Sequence, residues 1–599
     1  MADTSNAAIA EILRQIGEYL DMQKVPFKPR AYEKAAQVID ALEEELAETY
    51  KIGGKKALLE VPGIGMSMAG AIEELIKTGK IKQYEELKKS TPVRLDQLAK
   101  VEGLGPKSIQ KLYQELGVKN LADLEKAAKA GKIAKLEGFG KKSEEKILKN
   151  IGFAEQSGQR FITGYMLPRI RSIVARLEKV SGVKKVTPAG SARRRKETIG
   201  DVDILVVADS EKSTQDVMKA FVSMADVINI IAEGPTKSSV KLRAGINVDL
   251  RVVPAESYGA ALNYFTGSKE HNVALRRIAV EKNWKLSEWG LFKIKGGRGP
   301  ASVGTTSRGS KDEIMIAGKT EEEVYAKFGM DYIEPELREN TGEIEAALAH
   351  TLPKLIGYGD LQGDLQIQTD WTDGSASIEA MALAAYQKGL KYIVITDHTK
   401  RLAMTHGLDE KRLLQQMAEI DRVNKKLAGK IKVLKGTECD ILKDGSLDLP
   451  DDLLAKLDVV GVSVHSYFNL PRAEQTARVL RAIDNPNVDI FFHPTGRLIN
   501  KRPPIDIDID AVIDLAKKTK TVMEVNSFPE RSDLKDEHVR KCVELGVKLS
   551  IDSDAHAIAH YALLENGIAV ARRGWAEKKD VINAWPVEKM VNCLKGAKK

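Results

Sequence analysis

Apolar residues recur every three or four positions over the first fifty residues, a spacing that predicts amphipathic helices. Ile9, Leu13 and Ile16 follow this spacing, and Val38 and Leu42 repeat it further on. We therefore expect a small helical bundle in this part of the chain. Between residues 183 and 253 the pattern changes to short β-type segments separated by helical ones, which predicts a domain of mixed strands and helices.

After residue 360, short apolar runs alternate with helical segments, and several of these runs end in His or Asp. The runs that predict strands are residues 392–395, 459–464, 489–492, 522–525 and 548–551. Strands that alternate with helices and end in polar residues are typical of an α/β barrel with its site at the strand carboxyl ends. The predicted fold class is a multidomain protein that combines α/β and α+β parts.

A glycine turn is repeated three times within residues 61–140, each time before a helix-forming stretch. Such a turn brings backbone N–H groups to a helix N-terminus, where phosphate binds. An ordinary glycine helix stop explains one copy, but three copies near lysines such as Lys107 indicate helix-hairpin-helix motifs that contact a DNA backbone. Potassium or sodium ions at the turns would join the carbonyls to a phosphate. The paired glycines are Gly63 and Gly65, Gly103 and Gly105, and Gly138 and Gly140.

Two aspartates, Asp201 and Asp203, stand two positions apart in a predicted strand and therefore face the same side. A third, Asp249, lies in a run with the composition of a neighbouring strand. An isolated Asp-x-Asp is usually an exposed turn, but three convergent carboxylates repel one another unless a cation lies between them. That arrangement is the one that two-metal phosphoryl transfer requires. Ser191 and Arg194, after a glycine turn, are suited to hold the phosphates of a triphosphate.

Composition and charge narrow the class of protein. The chain has 599 residues, 43% of them hydrophobic, and a formal charge of +8 that suits a polyanionic partner without requiring one. No apolar run approaches the roughly 20 residues that cross a bilayer, and the first residues lack a signal-peptide pattern, so we expect a cytoplasmic protein without membrane contact. Three scattered cysteines are too few for a disulfide framework.

The stretch Gly190–Leu205 closely resembles the nucleotidyltransferase signature of the X-family DNA polymerases, the family of polymerase beta. The resemblance continues through Tyr-Phe-Thr-Gly-Ser at Tyr264–Ser268, where the family uses the Tyr–Phe pair to exclude ribose. It implies further that Asn272 and Arg276 contact the minor-groove edge of the nascent base pair. It implies a palm and thumb in which Asp201 and Asp203 bind two Mg²⁺ (or Mn²⁺) ions and Asp249 binds the catalytic one. It also implies dNTPs and gapped or primed DNA as partners. The residues implied in nucleotide binding are Gly190, Ser191, Arg194, Gly200, Tyr264, Phe265, Gly267, Asn272 and Arg276.

The resemblance also covers Phe27–Ile39 and the glycine turns, and Lys28 and Tyr32 fall at positions that contact a 5′-phosphate in the family. One departure concerns deoxyribose-phosphate lyase activity. The Schiff-base lysine of lyase-active relatives is Ala71 here, and a nearby phosphate-binding lysine is Ser67. Because a Schiff base needs a primary amine, we predict no lyase activity from this position. Whether Lys55, Lys56 or Lys77 substitutes is left open.

The last 240 residues resemble the polymerase and histidinol phosphatase (PHP) domain that follows many prokaryotic X-family polymerases. This resemblance implies a distorted (β/α)7-type barrel with bound Mn²⁺, Zn²⁺ or Fe and 3′–5′ exonuclease activity. The ligands implied are Asp373, His398, Glu438, His465, His493, Asp554 and His556. The family's first motif has His-x-His, whereas Gln366 and Gln368 occupy those places here. An amide is a poorer ligand than imidazole, so we expect an incomplete metal site and either a weakened exonuclease or a purely structural domain.

The sequence is therefore interpreted as a template-directed DNA polymerase that fills short gaps in DNA repair, and we expect a monomer. A template-independent nucleotidyltransferase and a DNA-binding scaffold without activity are the alternatives. We predict a helical domain over residues 1–88, a fingers-like domain over 89–152, a palm over 153–256, a thumb-like domain over 257–332, a linker over 333–356 and the PHP domain over 357–599.

Overall fold

The computed structural model describes residues 6–295 and 313–595, apart from residues 24, 41, 43–45, 62, 99–100, 102–103, 142, 146, 149–150 and 152–159. The chain forms two compact units. The first comprises residues 1–159, 356–571 and 578–599, and the second comprises residues 160–355 together with 572–577. The six domains predicted from the sequence divide the chain more finely than these two units, and their boundaries stay a prediction.

The amino-terminal part of the first unit is helical, as the apolar spacing predicts. Ile9, Leu13 and Ile16 are fully buried in one core with Ile39 and Leu46. Among the described residues, no helix is both long and apolar enough to pass through a membrane. The helices here are Asn6–Met22, Lys28–Asp40, Leu46–Leu59, Met66–Thr78, Lys82–Ser90, Leu95–Leu98, Pro106–Leu116 and Leu121–Lys129.

The second unit contains a five-stranded sheet that carries the predicted aspartates. Its strands lie in the order β2-β4-β7-β6-β5, and only β4 and β7 are parallel neighbours. The helices of this part are Thr163–Glu178, Gly190–Arg193 and Glu211–Val222. The strands are β1 (Phe161–Ile162), β2 (Val183–Pro188), β3 (Thr198–Ile199), β4 (Asp201–Ala208), β5 (Val227–Glu233), β6 (Lys237–Leu242) and β7 (Asn247–Val252).

The same unit continues into a second core, which includes residues of the predicted linker. Ile333, Leu337 and Ile344 are buried there with Leu275 and Tyr325. A three-stranded antiparallel sheet is formed by β8 (Trp284–Ser287), β9 (Gly290–Ile294) and β10 (Glu313–Ala317). The helices are Tyr258–Thr266, Lys269–Glu281, Glu321–Phe328 and Glu343–Leu348.

The carboxy-terminal strands form a nearly closed parallel barrel, which confirms the predicted fold. Each strand pairs with the next in chain order, and Ile367, the last residue of the first strand, forms a parallel bridge with Ala555, just after the last strand. The strands are β11 (Gly363–Ile367), β12 (Tyr392–Ile395), β13 (Lys432–Asp440), β14 (Val459–Ser463), β15 (Ile490–Phe491), β16 (Val522–Asn526) and β17 (Leu549–Asp552). The helices are Ile378–Gln387, Glu410–Lys426, Asp451–Leu454, Arg472–Ile483, Ile509–Thr519, Asp536–Leu545, Leu564–Arg573 and Val587–Lys595.

Candidate active sites

The three aspartates predicted for phosphoryl transfer meet on two adjacent strands. Asp201 and Asp203 lie two positions apart on β4, and Asp249 on β7 is in register with Asp203. Because β4 and β7 are parallel neighbours, all three carboxylates are on one side of the sheet. Asp201 is exposed, whereas Asp203 and Asp249 are half-buried.

The electrostatics of this site fit a bound cation. Burial, followed by repulsion from Asp201 and Asp249, raises the pKa of Asp203 to about 6. Arg251 and Lys237 oppose this rise, and Lys237 Nζ lies 3.8 Å from Asp249 Oδ2. Carboxylate oxygens that repel one another are suitable ligands for Mg²⁺ or Mn²⁺, whose charge removes the repulsion.

Gly190 lies against the central aspartate and leaves no space for a side chain. Its φ of +62° is in the left-handed region, and a Cβ atom there would stand 2.7 Å from Asp203 Oδ2. The backbone N–H of Ala189 donates to the carbonyl oxygen of Asp203 at 2.8 Å. Glycine at this position therefore allows the turn to approach β4. Ser191 is half-buried just after it, and Gly200 is exposed just before Asp201.

Arg194, predicted to bind phosphate, is held by hydrogen bonds on two sides. Its Nε donates to Glu339 Oε1 at 3.0 Å, and its Nη1 donates to the carbonyl oxygen of Thr266. The next residue, Gly267, has φ +66°, and a Cβ atom there would lie 3.2 Å from Arg194 Nη1. The predicted phosphate-binding and sugar-selecting segments are therefore in direct contact.

The predicted sugar-selecting pair and the predicted base-pair contacts also lie together. The rings of Tyr264 and Phe265 meet edge to face with centroids 5.1 Å apart, and Arg251 lies 4.6 Å from the Phe265 ring centroid. Asn272 Nδ2 donates to the carbonyl oxygen of Tyr264 at 2.7 Å, and Arg276 Nε donates to that of Asn272 at 3.3 Å. The two predicted groups thus form one hydrogen-bonded cluster.

A buried ion-pair network beside this cluster was not predicted. Glu321 Oε2 accepts from Arg193 Nη2 at 2.6 Å, and Glu321 Oε1 accepts from Arg338 Nη1 at 2.5 Å. Burial raises the pKa of Glu321, but Arg338 and Arg193 together lower it to about 2. Arg193 and Glu321 are 128 residues apart, and no local sequence pattern connects them.

The glycine turns have the backbone geometry that the repeat predicts. Gly63 and Gly138 have φ values of +86° and +83°, and Gly65 and Gly105 directly precede helices Met66–Thr78 and Pro106–Leu116. Gly140 likewise precedes a helical residue, while Gly103 lies outside the described residues. Lys107 is exposed on the second of these helices.

The predicted 5′-phosphate contacts differ in their surroundings. Lys28 is exposed at the start of its helix, whereas Tyr32 is 2% exposed and its hydroxyl donates to Gln83 Oε1 at 3.1 Å. Ala71, at the place of the lyase lysine, is buried, and Ser67 is exposed. Of the alternative lysines, Lys77 donates to Glu73 Oε1 at 2.7 Å, while Lys55 lies 4.0 Å from Glu73 Oε2.

The centre of the barrel is built around Glu438, which is fully buried on β13. His493 Nε2 and His465 Nε2 lie 2.8 and 3.1 Å from Glu438 Oε1. The two glutamines lie on the other side of the carboxylate, where Gln366 Nε2 and Gln368 Nε2 donate to Glu438 Oε2 at 3.1 and 2.8 Å. Amide donors thus surround an oxygen that the family resemblance assigns to a metal.

Two groups of the predicted ligands still have the spacing of a metal site. Their ligand atoms lie within 4.8 Å of one another, and His398 belongs to both groups. In the described part of the chain, His398 Nδ1 and Gln368 Oε1 are buried without a hydrogen-bond partner. Imidazole and carboxylate donors of this kind fit Mn²⁺, Zn²⁺ or Fe. The groups are Asp373, His398 and His556, and His398, Glu438 and His465.

The charges at this centre compensate one another within the protein. Burial raises the pKa of Glu438, but His398 and hydrogen bonds from His465 and His493 hold it well below its usual range. Burial lowers the pKa of His465, but hydrogen bonds to Asp440 and Glu438 raise it to about 9. The negative charge of Glu438 is therefore compensated by the imidazoles that surround it.

Sequence reasoning missed three residues that contact the predicted ligands. Asp440 Oδ1 lies 3.4 Å from His465 Nδ1. Asp554 Oδ2 accepts from Asn526 Nδ2 at 3.2 Å and lies 3.3 Å from Arg531 Nε. Asp440 stands two positions after the predicted ligand Glu438 on the same strand, which was a signal for it, whereas the sequence around Asn526 and Arg531 carries no such signal.

The sequence matches profiles of three protein families. "DNA polymerase beta thumb" matches residues 261–339, and "Helix-hairpin-helix domain" matches residues 4–81. "SAM-like Helix-hairpin-helix tandem" matches residues 55–117 and 95–151. These matches coincide with the predicted sugar-selecting segment and with the three glycine turns.

Comparison with individual proteins finds similarity over nearly the whole chain. A protein of Bacillus subtilis (strain 168) named DNA polymerase/3′-5′ exonuclease PolX is 39% identical over 579 residues, which are 96% of this chain and 97% of that protein. A protein of Thermoanaerobacter sp. (strain X514) named probable phosphatase is 31% identical over 37% of this chain and 90% of its own length. DNA polymerase lambda of Arabidopsis thaliana is 28% identical over 51% of this chain and 57% of its own length.

Proposed function

Because the chain belongs to the PolX-type DNA polymerases, we propose that it adds dNTPs to a primer 3′-hydroxyl, directed by a template, in short gaps of DNA. The observation that carries this proposal is the register of Asp203 with Asp249 on parallel strands, with Asp201 on the same face. A divalent cation is required to hold these carboxylates together, and Mg²⁺ or Mn²⁺ fits their oxygen atoms.

In this proposal Asp201 and Asp203 would hold two metal ions, and Asp249 would hold the catalytic one. Bound there, the metal supplies charge neutralisation at the reacting phosphate and a lower pKa for the attacking hydroxyl. Gly190 lets the backbone approach the triphosphate, and Arg194 presents its guanidinium to the phosphates. The catalytic contribution of the protein is then positioning and electrostatic complementarity.

Selection of the incoming nucleotide is assigned to the cluster around Tyr264. In this proposal the Tyr264–Phe265 pair excludes the 2′-hydroxyl of a ribonucleotide, and Gly267 ends the helix that carries the pair. Asn272 and Arg276 carry donors that suit the acceptors present on the minor-groove edge of every base pair. Discrimination of the sugar thus depends on shape, and the minor-groove contacts are indifferent to sequence.

DNA contact is assigned to the glycine turns and to Lys28 and Lys107. Backbone N–H groups at the turns and exposed lysine side chains bind phosphates without reading bases. Binding should therefore tolerate any sequence and prefer the ends of a gap, with K⁺ or Na⁺ at the turns as an optional bridge to phosphate. DNA ends of repair intermediates, in base excision or end joining, are the substrates that this geometry suits.

Single-nucleotide insertion on gapped DNA tests the polymerase proposal. Asp203→Ala and Asp249→Ala should abolish insertion while DNA binding is kept, because each removes a metal-binding carboxylate. Asp209→Ala is the matched control, since Asp209 follows the same strand, pairs with Lys184 at 3.1 Å and takes no part in the site. Near wild-type insertion by either active-site variant would contradict the proposal. Equal extension of an untemplated single strand would favour the template-independent alternative.

A weakened 3′–5′ exonuclease is the second candidate function. The amide hydrogen bonds to Glu438 favour low exonuclease activity over high activity. Gln366 and Gln368 stand where the family has two imidazole ligands, and their neutral amides donate hydrogen bonds to the carboxylate instead. The remaining groups around His398 retain the spacing for one metal site. The double variant Gln366→His/Gln368→His should raise metal content and 3′-end degradation.

His465→Ala tests the same proposal in the opposite direction. It should remove any remaining degradation and leave nucleotide insertion unchanged, because His465 contacts Glu438 and Asp440 in the barrel. Rapid, His465-dependent degradation by the unmutated protein would show that the glutamines suffice as ligands. If neither the wild type nor the double variant degrades 3′ ends, a purely structural barrel is favoured.

A further inference from the structure

A short segment near the end of the sequence, residues 572–577, belongs to the same compact unit as the polymerase site. Arg573 in this segment is 5% exposed in its side chain and lies next to Arg194. Arg573 Nη1 donates to the carbonyl oxygen of Arg194 at 3.0 Å and to Glu339 Oε1 at 3.0 Å. It thus contacts both the backbone of the predicted phosphate-binding arginine and the carboxylate that holds its side chain.

Glu339 is shared between these two arginines. Its Oε1 atom also accepts from Arg194 Nε at 3.0 Å, and Lys196 Nζ lies 3.7 Å from its Oε2 atom. Burial raises the pKa of Glu339, but Arg573, Arg194 and Lys196 together lower it. The carboxylate is therefore ionised, and three cations surround a single negative charge.

This geometry fixes the direction in which the Arg194 guanidinium points. Glu339 accepts from its Nε, and the Thr266 carbonyl oxygen accepts from its Nη1. Removal of Arg573 would leave Glu339 with a stronger attraction to Arg194 and would release the Arg194 carbonyl oxygen. Both changes reduce the ability of Arg194 to attract a triphosphate, whose oxygens compete with Glu339 for the same guanidinium.

We propose that Arg573 is a positioning residue for the incoming nucleotide, acting through Glu339 and Arg194. The inference rests on the proposed polymerase function. It assigns a part in dNTP binding to Arg573, which lies outside the segments with the polymerase signature. The hydrogen bonds of Arg573 to Glu339 and to the Arg194 backbone act on the phosphate-binding arginine, so Arg573 affects nucleotide affinity more than the chemical step.

The test is the affinity of gapped-DNA complexes for a non-hydrolysable dNTP analogue, measured by titration on a chain-terminated primer, together with KM and kcat for insertion. Arg573→Ala should weaken analogue affinity and raise KM by about tenfold, while kcat and DNA affinity change less than about twofold. Arg573→Lys keeps the charge and one donor, so it should recover part of the loss.

Arg572→Ala is the matched control, because Arg572 lies in the same segment and its Nε donates to Glu336 Oε1 at 2.8 Å rather than to Glu339. It should leave KM for the dNTP unchanged. An equal loss in Arg572→Ala would mean that the segment only needs to be docked, and would overturn the inference.

A double-variant cycle tests the route through Glu339. In a Glu339→Gln background, Arg573→Ala should have a much smaller effect, because the shared carboxylate is gone. An undiminished effect, or unchanged analogue affinity in Arg573→Ala alone, would overturn the inference. Because analogue binding does not require turnover, failure of the wild type to insert nucleotides would count against the proposed function alone.

Discussion

Gly190→Ala adds one methyl group beside the central aspartate of the polymerase site. The new Cβ atom would lie 2.7 Å from Asp203 Oδ2 and 3.6 Å from its Cγ. Ordinary van der Waals contact begins at 3.4 Å. The carboxylate or the turn must therefore move by about 0.7 Å to relieve the 2.7 Å approach to Oδ2. The backbone at this position also has φ +62°, which an alanine adopts with strain.

The two effects of the substitution differ in size and in what they perturb. A displacement approaching 1 Å at a reacting group lowers rates by about 100-fold, and we expect kcat for insertion to fall by about 30- to 100-fold. The left-handed backbone costs about 1–2 kcal/mol in the free energy of unfolding. Activity should therefore be lost while the protein remains folded and bound to DNA.

Single-turnover insertion on gapped DNA measures the catalytic effect, and calorimetry of the same preparations measures the effect on stability. Gly329→Ala separates the two, because Gly329 has φ +79° in the same unit but nothing within 4 Å of its Cβ position. It should lose similar stability and keep its activity. If Gly190→Ala inserts nucleotides at a rate within threefold of wild type, the argument from contact with Asp203 is wrong.

Three further outcomes follow from the structure. Glu321→Gln should lower the free energy of unfolding of the second unit by about 3 kcal/mol, because Arg338 stays buried beside a neutral partner. Calorimetry measures this loss. The stability that Glu321 adds is present above its ordinary pKa and is lost as pH falls toward about 2, so the variant should also be less acid-sensitive. Affinity for gapped DNA should fall steeply with rising salt, measured by fluorescence anisotropy, because lysine contacts release counterions. Borohydride should not trap the chain on 5′-deoxyribose-phosphate DNA, because Ala71 lacks an amine; a strong adduct, mapped by peptide sequencing, would identify a substitute lysine.

Much of the fold was predictable where burial and sequence pattern agree. The strand predicted over residues 392–395 is observed with those bounds, because all of its residues are apolar and buried. Strands β11 and β13 were not predicted. Asp364 and Gln366 on β11, and Thr437 and Glu438 on β13, are polar yet fully buried, so the apolar pattern is interrupted where the strands carry the site.

The aspartates and metal ligands were predictable because short motifs contain them, but their supporting residues were not. Arg194 and Arg573 are 379 residues apart, and Arg193 and Glu321 are 128 apart. Such contacts leave no local periodicity, since folding alone brings their partners together. The same holds for the amide bonds of the glutamines, because their partner Glu438 lies about 70 residues further along the chain.

The hydrogen bonds of Gln366 and Gln368 lead to a prediction about metal removal. Both amides donate to Glu438, so the buried carboxylate is satisfied by the protein itself. A metal ion whose free concentration is about 100 times its dissociation constant adds about 2.7 kcal/mol to the free energy of unfolding, and a chelator removes that contribution. The wild-type barrel should therefore unfold at nearly the same temperature with and without EDTA, as followed by calorimetry of the full chain. Gln366→His/Gln368→His should make the unfolding of the barrel sensitive to EDTA, because two imidazoles add metal ligands beside Glu438 in place of the amide donors. A wild-type barrel that EDTA destabilises as strongly as the double variant would show that its stability already depends on metal at the remaining ligands, and that the amides do not replace it.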